Sequence, residues 1–167
     1  SVQRLINQHQ LIEADIKAHE DRTKDMNSLA DSLITSGQFD SDSIQSKRQS
    51  INERYERLAN LAKYRRNRLH EASTLHQFFR DMVDEESWIK EKKLLVASDD
   101  HGRDLAGVQN LRKKHKRLEA DLSGHGPAIK AVQDSGQRLM LESSVGAPEI
   151  EQRLQNLEQN WLELQEM

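Results

Sequence analysis

The sequence predicts an all-α fold of antiparallel three-helix bundles, of left-handed coiled-coil type, set in tandem and joined by a continuous helix. Three observations lead there. The chain repeats itself at an offset of 106 residues: Val2-Gln3, Leu5, His9, Glu13-Ala14-Asp15, His19, Leu33, Ile44 and Leu58 return as Val108-Gln109, Leu111, His115, Glu119-Ala120-Asp121, His125, Leu139, Ile150 and Leu164. A period of that length means one structural unit used twice. Apolar residues also step by three and four over several heptads, which places them on one helix face. Finally, the 167 residues include seven Gly and two Pro, and 32% are charged, a composition that favours long solvated helices over sheets or flexible linkers.

The elements follow in order. From Val2 the seam runs Leu5, His9, Ile12, Ile16, His19, Thr23, Met26, Ala30 and Leu33 with no Gly or Pro before Gly37, so residues 1–36 read as one helix. Gly37 to Ser43 breaks it, and Asp and Ser there can cap a new helix starting near Ser43. That helix carries Ile44, Arg48, Ile51, Tyr55, Leu58, Ala62 and Leu69, and the seam then restarts as Leu75, Phe78, Met82, Ile89 and Val96, widened by Trp88 and Leu95. Between Leu69 and Leu75 the steps are three and three, which turns the apolar face by roughly 100°. With no Gly or Pro from Gln38 to His101, one helix of about fifty-five residues, roughly 80 Å long, is expected to serve two bundles. Leu69, Ala72 and Leu75 mark the passage between them.

The stretch Ser98 to Arg103 reads as a loop, with Asp104 as cap of the next helix. That helix repeats the first seam as Leu111, His115, Leu118, Leu122, His125, Ile129, Val132, Gly136 and Leu139, and Pro127, flanked by Gly124 and Gly126, is expected to kink it. After Ser143 to Pro148 a last helix begins near Pro148, which tolerates a first-turn position, and carries Ile150, Leu154, Leu157, Trp161 and Leu164. The expected core is Phe78, Met82, Trp88, Ile89, Leu111, Leu118, Leu122, Leu154, Leu157 and Trp161.

Composition excludes several functions. A net charge of −3, from 25 basic and 28 acidic residues, gives no general attraction to nucleic acid or anionic membrane. No cysteine is present, so thiolate metal sites and disulfides are out and a reducing compartment fits. No apolar run is long enough to span a bilayer, and Ser1-Val2-Gln3-Arg4 does not open a signal peptide, so a soluble intracellular protein is the default.

Two basic runs invite a binding role. Arg112 to Arg117 could meet phosphates, but no aromatic residue interleaves to stack bases, and a solvated face or a partner-chain contact is favoured over anionic lipid or nucleic acid. Lys63 to Arg68 falls where two bundles would meet. None of the seven histidines has the i, i+4 spacing of a helical metal pair; His9, His19, His115 and His125 sit on the seam and read as buried structural groups. Glu13–Lys17, Glu20–Lys24, Glu53–Arg57 and Glu86–Lys90 are spaced as helix-supporting ion pairs. Acid–base catalysis by Glu85 and Glu86 would need a concave site that a slender bundle does not offer, so no catalytic residue, cofactor or metal is expected.

The residues Leu75-His76-Gln77-Phe78-Phe79-Arg80-Asp81, Glu85-Glu86-Ser87-Trp88-Ile89-Lys90-Glu91-Lys92, Gly102-Arg103-Asp104-Leu105 and Val108 to His115 closely resemble spectrin repeats over essentially the whole chain. The resemblance implies a rod segment of the membrane skeleton at the inner face of the plasma membrane. It implies β-spectrin as a lateral, antiparallel partner and actin as an indirect one, through the assembled tetramer. The family's actin, calmodulin and SH3-ligand activities belong to modules not visible here. In the family's terms, residues 1–70 are helices B and C of a first repeat whose helix A is absent. Residues 71–167 are a second repeat, with A about 71–97, B about 104–142 and a shortened C about 147–167. The open stripe on the first hairpin would permit a homodimer by helix exchange. The alternative to a structural rod is a helical adaptor surface for anionic lipid or another protein.

Overall fold

A computed structural model of the chain describes residues 1–37, 39–97 and 104–167. The all-α expectation holds: α1 spans Val2–Ser36, α2 Ser41–Val96, α3 Leu105–Glu142 and α4 Ala147–Glu166, and no strand occurs among the described residues. Gln38 and the expected loop Ser98 to Arg103 lie outside the described residues.

Local chemistry sets the helix ends. α1 stops at Gly37, whose φ of 65° lies in the left-handed region, and the Gly37 N–H donates to the Ile34 carbonyl at 3.2 Å. Asp40 accepts from the Ser43 N–H at 3.2 Å, so α2 starts at Ser41, slightly earlier than the sequence suggests. Asp104 caps α3 by accepting from the Gly107 N–H at 2.7 Å. Gly146, at φ 75°, turns the chain into α4, with Pro148 in the first turn, where its missing N–H leaves no bond unmade. Pro127 lies inside α3, which continues on both sides of it.

The chain divides into two compact units, Ser1–Thr74 and Leu75–Met167, with the division inside α2. In unit 1, α1 and the first part of α2 form a hairpin. The reciprocal amide pair Asn27–Asn52, at 2.9 and 3.1 Å, ties its register, and Tyr55 Oη reaches the Ile16 carbonyl at 3.4 Å. The buried residues of its helix seams are His9, Ala30 and Ala62.

Unit 2 has a continuous interior. Phe78, Met82 and Ile89 from α2, Ile129 and Val132 from α3, and Ile150, Leu154, Leu157 and Leu164 from α4 form one buried cluster. A Cβ added to Gly136 would lie 2.8 Å from Leu154 Cδ1 and 2.9 Å from the Phe78 ring, so the three helices meet at a point with no room for a side chain. The cost of glycine inside a helix, about 1 kcal/mol, is offset there by close packing.

Candidate functional site

The candidate site of a bundle of this kind is its packing seam and the surfaces beside it. At the centre of unit 2 the Trp88 ring stacks on His125 with centroids 3.7 Å apart and planes within 6°. His125 Nε2 lies 2.5 Å from Glu85 Oε2, and Trp161 leans on Trp88 at 6.2 Å. Lys92 Nζ sits 5.4 Å over the Trp88 ring and bonds Asp121 at 3.0 Å. This sandwich of α2, α3 and α4 shields polar groups with aromatic faces and pairs each charge it covers.

A second row of polar contacts joins α2 to α4. Arg153 grips Glu86 through two nitrogens, at 2.7 and 3.2 Å, and lies 5.3 Å over the Phe79 ring. Lys93 donates to Asn160 at 2.8 Å and to Glu163 at 2.7 Å. The Lys93 hydrogen bond, then one from Gln159, holds the Glu163 carboxyl below its ordinary range. In unit 1 the hydrogen bond to Glu20 raises Lys24 above the usual lysine value. The Lys24–Glu20 pair is exposed and within one helix, so it adds little to stability, whereas Arg153–Glu86 and Lys93–Glu163 tie α4 to α2.

Of the residues singled out from sequence, Phe78, Met82, Ile89, Leu154 and Leu157 lie in the buried cluster, and Trp88, Leu122 and Trp161 are half-buried against it. Leu111 and Leu118 are half-buried outside that cluster, on the wall of an open groove. Leu69 is half-buried, Ala72 exposed, and Leu75 packs on the unit 2 core.

The histidines divide. His9 is buried, with Nε2 2.8 Å from the Ala62 carbonyl, and His125 is half-buried as described. His19 and His115, also expected to be buried, are exposed. The counterpart of His19 is His125, whose Trp88 and Glu85 partners come from the 75–96 part of α2; unit 1 has no equivalent helix among the described residues. The counterpart of His115 is His9, which is covered by α2 at Ala62; no described residue makes the same contact with His115.

The expected ion pairs are also rearranged. Glu20–Lys24 closes at 3.0 Å, but Glu13 turns to Arg66 at 3.1 Å, Glu53 accepts from Gln49, and Glu86 takes Arg153 rather than Lys90. Helix-to-helix partners, invisible to within-helix spacing, took Glu13 and Glu86, while Glu53 found a neutral partner on its own helix. Arg112 to Arg117 are all exposed. Among the described residues no cluster of three His, Cys, Asp or Glu could hold a metal ion, and no helix is long and apolar enough to cross a membrane.

A profile described as spectrin repeat matches twice, over residues 1–71 and 73–167. The chain is 48% identical over 98% of its length to the mouse (Mus musculus) erythrocytic spectrin alpha chain 1, and covers 7% of that protein. It is 36% identical over 96% of its length to a Drosophila melanogaster spectrin beta chain, covering 7% of it. To the mouse erythrocytic spectrin beta chain it is 30% identical over 99% of its length, covering 8%. The chain thus spans less than a tenth of the relatives it matches.

Proposed function

The chain belongs to the spectrin repeat family, and from that premise we propose that it is a segment of a spectrin rod, serving as elastic spacer and as lateral docking surface in tetramers that cross-link actin. Its coarser role is that of a structural, non-enzymatic element of the cytoskeleton. On this reading residues 1–70 are helices B and C of one repeat and residues 71–167 the next, with α2 serving as C of the first and A of the second. The partner is a β-spectrin chain lying alongside, antiparallel, and the setting is the inner face of the plasma membrane.

One observation carries the reading. The two profile matches tile the chain and meet near residue 72, inside a single uninterrupted helix of 56 residues. A helix shared by two bundles passes tension and bending from one to the next, and bundles held by apolar seams can open one at a time under load.

The test is co-sedimentation and pull-down with purified β-spectrin, together with extension of the tethered chain in a single-molecule force experiment. Capture of β-spectrin with stepwise, reversible extension supports both roles. Absence of capture removes the docking role, and absence of any extension step removes the spacer role. Sedimentation of the chain alone reads whether the open stripe of unit 1, with Leu5, Ile12, Ile51 and Leu58 exposed, drives homodimer formation by helix exchange. Flotation with anionic vesicles tests the adaptor alternative raised by Arg112 to Arg117.

A further inference from the structure

At one level α3 gathers the residues that most weaken a helix. Gly124-His125-Gly126-Pro127 stands where α1 has Ala18-His19-Glu20-Asp21, so the duplicated hairpin forms this stretch of helix without Gly or Pro in its first copy. Inside a helix a glycine is several-fold less favourable than alanine, and Pro127 has no N–H to give the Ser123 carbonyl one turn back.

Packing explains Gly136 but not Gly124. A Cβ at Gly136 would strike Leu154 and the Phe78 ring, whereas one at Gly124 would meet nothing within 4 Å. At Gly126 a Cβ would lie 3.9 Å from Trp161 Cζ2, an ordinary contact, although the lack of a Cβ suits a residue that precedes proline within a helix. Neither glycine has the left-handed backbone of Gly37 and Gly146. What Gly124 adds is looseness. The two sides of the stretch differ. Ser123, Gly124 and Pro127 are exposed, which lets water take the Ser123 carbonyl. The inner side is sealed, since Trp88 stacks on His125 at 3.7 Å, Glu85 Oε2 lies 2.5 Å from the His125 Nε2, and Trp161 borders Gly126.

We propose that residues 123–127 are a breakpoint of α3, at which unit 2 opens locally while its core stays packed, and that the Trp88–His125–Glu85 stack is the latch that holds it shut. Opening there frees the helix before Gly124 from the helix after Pro127. The second piece keeps Ile129 and Val132 in the buried cluster and Gly136 against Phe78 and Leu154. Such a joint lets the bundle bend or lengthen by a small step without global unfolding. The inference rests on α3 and its aromatic neighbours and does not depend on the rod or its lateral partner.

The experiment is native-state hydrogen exchange on the whole chain in a series of low urea concentrations. The amides of residues 124–131 are expected to exchange at least about tenfold faster than those of residues 133–139, at a rate that low urea leaves unchanged, because a local opening exposes little surface. Gly124→Ala combined with Pro127→Ala should slow them about tenfold or more, and His125→Ala should speed them by a similar factor. Rates that rise with urea in step with residues 133–139 overturn the proposal, since the whole unit then unfolds at once. Fast exchange that the double variant does not slow overturns it equally. A profile that slows smoothly from Leu105 through Ala131 would assign the opening to fraying from the start of α3, and unchanged rates in His125→Ala would remove the latch.

Discussion

Ile44 and Ile150 occupy the same position of the duplicated hairpin, yet Ile150 is fully buried and Ile44 only half-buried. The same contrast runs along both seams: Leu58 is 49% exposed and its counterpart Leu164 1%, while Ile51 is 45% exposed and Leu157 1%. The difference is the third helix. In unit 2 the 75–96 part of α2 lays Phe78, Met82 and Ile89 across α3 and α4. In unit 1 nothing among the described residues does the same for α1 and its half of α2. A heptad seam therefore marks which side chains face a neighbour; how far each is buried depends on the helices packed against it.

The two units answer to different perturbations. The largest effect is expected from Phe78→Ala, which removes the covering ring and should cost unit 2 about 3 to 5 kcal/mol in urea unfolding. Both tryptophans, Trp88 and Trp161, lie in unit 2, so their fluorescence reads that loss while far-UV circular dichroism also reads unit 1. A loss under about 1 kcal/mol would mean that the third helix is not what separates the units.

Ala72→Pro strikes the helix they share. Removing an N–H donor in mid-helix costs roughly 3 kcal/mol and should part the fluorescence and dichroism transitions. Transitions left as they are in the unaltered chain would show that the units do not unfold through that helix.

The paired histidines sharpen the comparison further. His9→Ala removes the side-chain donor on the Ala62 carbonyl and empties a buried position, and should cost about 1 to 3 kcal/mol, whereas His115→Ala, at an exposed site, should stay within about 0.5 kcal/mol. Equal losses at the two positions would erase the distinction between a covered and an open histidine.

The smallest effect is electrostatic. Because Lys93 and Gln159 lower the Glu163 carboxyl, its contribution to stability is present above the ordinary carboxylate range and lost as pH falls through the lowered folded value. Glu163→Gln should therefore reduce the urea midpoint slightly at neutral pH and leave it unchanged in strong acid. A loss that persists in acid would point to packing instead of charge.

Much of the helical frame was legible in sequence because its causes are local. Gly37 and Gly146 relieve a left-handed turn, Asp104 supplies a capping oxygen, and the absence of Gly or Pro from Ser41 to Val96 lets α2 run through. Gly136 appeared on the seam but its purpose did not: the sequence holds no sign that the Phe78 ring would lie against it. The Glu86–Arg153 and Glu13–Arg66 pairs were equally hidden, since carboxylate and guanidinium come from helices far apart in sequence and compete with nearer lysines.

By itself the sequence determined the class of fold, the duplicated hairpin, the heptad faces and the helix ends, because propensity, capping and periodicity act within a few residues. Only the tertiary structure decided which seam positions are buried, which histidine is covered and where each charge finds its partner. Those depend on a second or third helix crossing at a given level, and burial, unlike periodicity, is a property of what lies on the other side.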